Sequence, residues 1–262
     1  MTLISGQTAR PFFVLMSVSL QMACASVWAQ SSCSSDGQRA PRALVERFIS
    51  ADCDTCWADP ATALVKATEL ALDWIVPSAK GDDAPLSAAA IQEALYRLQA
   101  LRQDAPKNSV NLRRPLMVKA VAGSPKLRVA RGVALGGYMG TSIEFTVTGR
   151  SAALSTYPIT AWLLLVEEIP AGTDGTPVAR NLVRNALQLE WNKPLARQPD
   201  RQPSGPPAEP PSARIKAGQR FYESRPMSIP AGTNPDRIRV VGWVDGGTGK
   251  VLASAASVCT PS

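Results

Sequence analysis

The sequence predicts an α+β protein, with an α/β unit in its N-terminal half and an antiparallel β-sandwich in its C-terminal half. Two observations support this fold class. Between residues 30 and 137, segments with strand-like and helix-like periodicity alternate, which is typical of an α/β unit. Between residues 138 and 262, short apolar or alternating segments follow one another and are separated by Gly- and Pro-containing turns, which is typical of an antiparallel β-sandwich.

Residues 1–29 have the composition of a cleavable signal peptide. Arg10 gives a positive start, residues 11–25 form a short apolar core, and Val27-Trp28-Ala29 places small or tolerated residues before a cleavage site. No stop-transfer charges follow. We therefore expect export to the periplasm or the medium, without stable membrane insertion after cleavage. A retained membrane anchor is the alternative.

The predicted α/β unit has five elements. In chain order they are a strand at 43–50, a helix at 57–72, a buried strand at 71–77, a helix at 87–101 and a strand at 116–121 that starts directly after Pro115. The helix at 87–101 is the clearest of them, because Ile91, Leu95 and Leu98 form one apolar stripe.

A C-x-x-C motif lies at the junction of the first strand and the first helix. Cys53 falls just before the predicted helix and Cys56 falls in its first turn. Unpaired backbone N–H groups favour a thiolate there, whereas the neighbouring carboxylates of Asp52 and Asp54 disfavour it. The order strand, C-x-x-C, helix, strand, helix and Pro-led strand is that of a thioredoxin-like α/β unit.

The C-terminal half is predicted to consist of strands. They fall at 142–147, 159–166, 182–191, 237–245 and 250–257. The last two flank the Gly-rich turn 246–249 and form a hairpin. Residues 197–212 are rich in proline, and we expect a solvent-exposed, disordered loop there.

The composition excludes several classes of function. The chain contains no histidine, which rules out Ser-His-Asp triads, Cys-His dyads and His-based zinc proteases. The formal net charge is +7, but the basic residues are scattered, so we predict no nucleic-acid partner. A C-x-x-C motif without a second pair of ligands is half a metal site, and we predict neither a metal nor another cofactor.

The number of cysteines predicts two disulfides. Removal of the signal peptide takes Cys24 away and leaves Cys33, Cys53, Cys56 and Cys259, for which three connectivities exist. In the chain-entropy model, a Cys53–Cys56 bridge adds about 2 kcal/mol and a Cys33–Cys259 bridge about 5 kcal/mol. We therefore predict a structural Cys33–Cys259 bridge and an exchangeable Cys53–Cys56 bridge. The alternative is that both bridges are inert.

The stretch from Glu46 to Cys56 resembles the opening of a secreted thioredoxin-like family, domain of unknown function 1223. In that family a strand ending in Glu-Leu-Phe-Thr-Ser leads through Gln-Gly into C-x-x-C, and here Glu46, Phe48, Ser50, Cys53 and Cys56 match. The resemblance also implies that Pro115 is the counterpart of the thioredoxin cis-proline. Trp57-Ala58-Asp59-Pro60 stands where the family has Pro-Pro-Ala-Asp, so the chain resembles a divergent member.

Two functions fit these residues. In the first, the protein is an exported thiol–disulfide oxidoreductase that acts on an unidentified protein thiol or disulfide. Cys53, which is expected to lie nearer the surface at the tip of the loop, is then the attacking thiolate, Cys56 is the resolving partner, and Pro115 lies against the pair. In the second, the protein is a non-catalytic cell-envelope binding or scaffold protein, and its disulfides are structural.

Overall fold

The computed structural model describes residues 33–63, 66, 68–117, 126–148, 158–192, 215–246 and 250–259. The predicted signal peptide and the predicted Pro-rich loop at 197–212 lie outside these residues, as does most of the strand predicted at 116–121. The described strands are β1 (Cys33–Ser34), β2 (Ala43–Ser50), β3 (Glu69–Val76), β4 (Val110–Arg113), β5 (Lys126–Leu135), β6 (Tyr138–Thr146), β7 (Ile159–Ile169), β8 (Arg180–Trp191), β9 (Arg220–Ser228), β10 (Ile238–Gly246) and β11 (Lys250–Ala256). The described α-helices are α1 (Asp54–Ala58), α2 (Pro60–Ala63) and α3 (Gln92–Ala100).

The strands form two sheets. A seven-stranded sheet has the order β11-β10-β7-β8-β3-β2-β4, and a four-stranded sheet has the order β1-β5-β6-β9. In the larger sheet β3 is parallel to both β2 and β8, whereas the other neighbouring strands are antiparallel. The fold is therefore mostly β and sandwich-like.

Both faces of the seven-stranded sheet are covered. On one face, β7 and β10 contribute Leu163, Leu165 and Val240 to an apolar core shared with Val129 and Ile143 of the smaller sheet. On the opposite face, Trp74 and Trp162 belong to a core that α3 completes with Ala94 and Leu98. Strands that are covered on both faces have nearly continuous apolar sequences. In β2, seven of the eight residues are buried.

The predicted α+β fold class, with its thioredoxin-like N-terminal unit, is wrong. Strands β2, β3 and β4 continue, through the β3–β8 pairing, into the same sheet as β7, β10 and β11. The predicted domain boundary between residues 137 and 138 falls in the turn of the β5–β6 hairpin, where Leu135 pairs with Tyr138.

The helix predicted at 57–72 is the main source of this error. Two helices of five and four residues occupy Asp54–Ala58 and Pro60–Ala63, and strand β3 already begins at Glu69. The Ala-rich spacing fits a helix, but Leu72, Trp74 and Val76 alternate with Ala71, Asp73 and Ile75 and are buried on two faces. Burial in a central strand outweighs intrinsic helix propensity.

Other predicted elements are confirmed. Strand β2 has the predicted bounds, and β10 and β11 form the predicted hairpin. Helix α3 lies within the predicted range 87–101 but is shorter, because the segment before it forms a 3-10 turn at Ser87–Ala89. Strands β1, β4, β5 and β9 were not predicted.

Candidate functional site

The C-x-x-C motif lies where the parallel strands β2 and β3 end. After β2, the N–H of Ala51 donates to the carbonyl of Val76, which ends β3, and the N–H of Cys53 donates to Ser50. The chain then enters α1, with Cys53 at its N-cap position. The carboxyl edge of parallel strands is a common location for functional residues in α/β sheets.

Cys53 and Cys56 form a disulfide, with their Cα atoms 5.1 Å apart. Cys53 is only 3% exposed, whereas Cys56 is partly exposed. The prediction that Cys53 lies nearer the surface is therefore wrong, because the 77–90 segment folds over the loop and the N–H of Leu86 donates to the carbonyl of Ala51. Cys56 is therefore the more exposed residue of the pair.

A hydroxyl lies beside the buried sulfur. Thr55 Oγ1 is 3.6 Å from Cys53 Sγ, and a hydroxyl can donate to a thiolate at such a position. When the bridge opens, the buried Cys53 therefore has a neighbouring donor.

Pro115 does not lie next to the Cys53–Cys56 disulfide. Strand β4 runs antiparallel to β2, with Val110 opposite Ile49 and Arg113 opposite Glu46. Strand β4 ends at Arg113, and the chain then continues through Pro115 to Leu116 and Met117, which lie against Val251 of β11. Pro115 therefore follows the end of β4 that is farther from Cys53. The arrangement implied by the family resemblance, in which this proline packs against the pair, is absent here.

The predicted Cys33–Cys259 disulfide is present. It joins positions 226 residues apart, with Cα atoms separated by 4.1 Å. Cys33 is 1% exposed and belongs to β1, at the edge of the four-stranded sheet, while Cys259 follows β11 of the larger sheet. The bridge ties the two sheets together, as expected of a structural disulfide.

Beneath the C-x-x-C motif lies a group of buried charges, which we call the Arg180 cluster and which consists of Arg47, Asp73 and Arg180. All three are at most 2% exposed. Arg47 Nη2 donates to Asp73 Oδ2 at 2.7 Å, and Arg180 Nη1 lies 3.6 Å from Asp73 Oδ1. Burial raises the pKa of Asp73, and the guanidinium groups of Arg47 and Arg180 act against this rise.

Arg180 connects this cluster to the C-x-x-C helix. Its Nη2 lies within hydrogen-bond distance of three backbone carbonyls at the end of α1, those of Cys56 (3.3 Å), Trp57 (2.7 Å) and Asp59 (3.1 Å). The same nitrogen is 2.8 Å from Thr62 Oγ1. The guanidinium also lies over the Trp57 ring, 4.8 Å from its centre.

Arg47, Asp73 and Arg180 are not among the predicted site residues. The sequence does contain a signal for such a cluster, namely an acidic residue in the middle of an apolar strand, as in Leu72-Asp73-Trp74. A fully buried charge requires a partner. The pattern shows that such a partner must exist. It does not show that the partners are Arg47, in the neighbouring strand, and Arg180, more than a hundred residues away.

A second buried ion cluster occupies the other face of the sheet. Arg97 of α3 makes two hydrogen bonds to Glu46, at 2.8 and 2.9 Å, and lies against the rings of Trp162 and Trp243. Glu46 also pairs with Arg113. This cluster attaches α3 to the sheet and contacts neither cysteine.

Two cavities are relevant to binding. A pocket of about 180 Å³ next to the C-x-x-C helix is lined by Trp57, Leu86, Leu182 and Gly232, among others. The Trp57 indole N–H donates to the carbonyl of Asp174 at 2.7 Å, which fixes the ring at the pocket wall. A larger cavity of about 590 Å³ lies at the edge of the two sheets, with Arg128, Glu144 and Met117 in its lining.

The described part of the chain contains neither a cluster of metal ligands nor a membrane-spanning helix. Its Cys, Asp and Glu residues form no group of three or more that could hold a metal ion. None of its helices has the length and apolar character needed to cross a membrane.

Comparison with known proteins gives one distant structural match. No family model and no curated protein matches the sequence, so membership of the family named above stays a prediction. The structure is similar to HBP35 of Porphyromonas gingivalis, with a TM-score of 0.42 and 10% identity over 86% of this chain and 82% of that chain. A likeness this remote carries no information about function.

Proposed function

We propose that this protein is exported and takes part in thiol–disulfide exchange through the Cys53–Cys56 pair, with Cys56 as the sulfur that a partner attacks. The observation that carries the proposal is the unequal exposure of the two bonded cysteine residues at the carboxyl edge of β2 and β3. A bridge over so short a loop adds little stability, and Cys33–Cys259 already joins the two ends of the described chain.

The exchange has two steps. A partner thiolate attacks Cys56 Sγ, the Cys53–Cys56 bond breaks, and Cys53 leaves as a thiolate to which the Thr55 hydroxyl can donate. A second partner thiol, once deprotonated, then attacks the partner's sulfur in the mixed disulfide and displaces Cys56. The partner loses two electrons and two protons and becomes a disulfide, and the Cys53–Cys56 pair gains both.

Equilibration with glutathione at defined ratios of reduced to oxidised form tests this proposal. Mass spectrometry after acid quenching and alkylation reads out each cysteine separately. We expect the Cys53–Cys56 pair to equilibrate at a potential above about −300 mV, the level below which structural disulfides lie, while Cys33–Cys259 stays oxidised as an internal control. A Cys53–Cys56 pair that resists glutathione as firmly as Cys33–Cys259 would refute exchange.

Trapping variants assign the attacked sulfur. Cys53→Ala leaves Cys56 free to form a mixed disulfide with oxidised glutathione, and Cys56→Ala leaves only the buried Cys53. We expect faster mixed-disulfide formation in the Cys53→Ala variant, because Cys56 is the more exposed residue. Equal rates in the two variants would contradict the assignment of Cys56.

The second candidate function is non-catalytic binding by an exported scaffold protein. It is favoured by the burial of Cys53, by the distance of Pro115 from the pair and by the cavity of about 590 Å³. The measurement that separates the two is cellular function in the Cys53→Ala, Cys56→Ala double variant. Retained function in a folded double variant supports the scaffold, and loss of function supports exchange.

A further inference from the structure

Arg180 is placed to act on Cys56 through the backbone. It belongs to β8 and is buried in the sheet, yet its guanidinium reaches the carbonyls of Cys56, Trp57 and Asp59. The last carbonyls of a helix have no partner within the helix and need one from outside. In α1 these partners are Arg180, a side chain fixed to the sheet, and Thr62, whose Oγ1 donates to the Cys56 carbonyl at 2.7 Å. Because Arg180 also reaches Thr62 Oγ1, the position of Cys56 depends on β8 as well as on its own loop.

The charge of the Arg180 cluster also acts on Cys56. With two guanidinium groups and one carboxyl group, the cluster is positive in either protonation state of Asp73. Arg180 Nη2 is 3.3 Å from the Cys56 carbonyl oxygen, which places it within about 8 Å of Cys56 Sγ by standard covalent dimensions. Because the cluster is buried, solvent screens its charge little.

The opposing charges are better solvated. Asp54 and Asp59 lie on or beside α1 and are exposed. Asp52, in the loop before α1, accepts from Ser78 and lies 3.5 Å from Lys80 Nζ, which offsets its charge. The buried positive cluster therefore has more influence on Cys56 Sγ than these carboxylates have.

We propose that Arg180 is a positioning residue for exchange at Cys56: it holds the end of α1 against the sheet, and its charge favours the Cys56 thiolate when the bridge is open. This inference rests on the proposed function and names a residue that influences whether the Cys53–Cys56 pair oxidises or reduces its partner. A stabilised Cys56 thiolate leaves the mixed disulfide more readily, which favours oxidation of the partner.

The test measures the alkylation of a single thiol. In a Cys53→Ala background with Cys33–Cys259 intact, the alkylation rate of Cys56 is followed against pH, before and after the substitution Arg180→Met. We expect the midpoint of this profile to rise by about one pH unit, so that the rate below the midpoint falls about tenfold. Arg180→Lys, which restores the charge, is expected to bring the midpoint back towards its original value.

Two further variants separate this effect from general destabilisation. Arg97→Met removes a buried, ion-paired arginine from the opposite face of the sheet, and we expect no shift of the midpoint. Asp73→Asn increases the positive charge of the cluster, and we expect the midpoint to fall; this opposite shift provides the test if Arg180→Met does not fold.

An unchanged midpoint in folded Arg180→Met, or an equal shift in Arg97→Met, would overturn the inference. The same holds if Arg180→Met does not fold and Asp73→Asn leaves the midpoint unchanged. These results do not depend on the glutathione experiment. A protein that fails to exchange with glutathione but shows the Arg180-dependent midpoint refutes the proposed function and leaves the role of Arg180 standing.

Discussion

Asp73 is the residue on which the buried charges below the C-x-x-C motif converge. It is fully buried, contacts both Arg47 and Arg180, and lies in the central strand β3. Removing one partner from a buried ion cluster is costly, because the remaining charges stay in the interior without compensation.

We therefore predict that Asp73→Asn lowers the free energy of unfolding by about 3–5 kcal/mol. Denaturant unfolding followed by tryptophan fluorescence measures the change, and Trp74, next to Asp73 in β3, is a local reporter. The matched control is Asp36→Asn, which breaks an exposed pair with Arg128; we expect a change below about 1 kcal/mol for it. A loss in Asp73→Asn no larger than in the control would show that the cluster contributes little to stability.

At the residue scale, the sequence predicts which cysteines pair but not which sulfur is accessible. Four cysteines and their spacing are enough to propose both bridges. Exposure depends on contacts with distant segments, such as the hydrogen bond from the Leu86 N–H to the Ala51 carbonyl, which no local pattern encodes. For the same reason, the proline predicted to face the pair follows the end of β4 that is farther from Cys53, since the register of β4 determines its position.

At the scale of elements, the close approach of the two sheets depends on a glycine in β10. A Cβ atom added at Gly242 would lie 2.8 Å from Val129 Cγ1 and 3.1 Å from Ile143 Cδ1, both in the facing sheet, and 3.1 Å from the Trp162 carbonyl oxygen. The two apolar side chains belong to the shared core and are fully buried.

We predict that Gly242→Ala destabilises the protein by about 1–3 kcal/mol, because the extra methyl group overpacks a closed core. Gly140→Ala is the control: it also lies in a strand, but its added Cβ meets no atom within 4 Å, and we expect a change within about 0.5 kcal/mol. Thermal unfolding of the two variants beside the unsubstituted protein gives the comparison. Equal melting temperatures for both variants would mean that the sheets can move apart at no cost.

The strands of the C-terminal half were easier to predict than the elements around the cysteines. Strands β7, β8 and β10 are long, and their sequences carry the pattern of their burial. The segment between β2 and β3 instead combines short helices with a central strand, and its Ala-rich sequence fits a longer helix equally well. Pairing with β2 and β8 favours a strand over a helix at β3. A local sequence pattern holds no information about these partners, because they lie elsewhere in the sequence.

At the scale of the whole molecule, the two disulfides act over very different distances. The Cys33–Cys259 bridge closes a loop with a sequence separation of 226, whereas Cys53–Cys56 spans a separation of 3. The long bridge therefore removes far more conformational freedom from the unfolded chain than the short one does. It also joins β1 of one sheet to the segment that follows β11 of the other, where the Ser34 N–H donates to the carbonyl of Val258.

We predict that the double variant Cys33→Ala, Cys259→Ala loses about 5 kcal/mol of stability, and that Cys53→Ala, Cys56→Ala loses about 2 kcal/mol. Urea unfolding of both variants and of the parent chain under non-reducing conditions measures the two losses. Alanine is the appropriate replacement because Cys33 is buried and a serine hydroxyl there would need a partner. If removal of the short bridge costs as much as removal of the long one, the Cys53–Cys56 pair stabilises the native fold as much as the long disulfide does, and exchange at that pair would destabilise the protein.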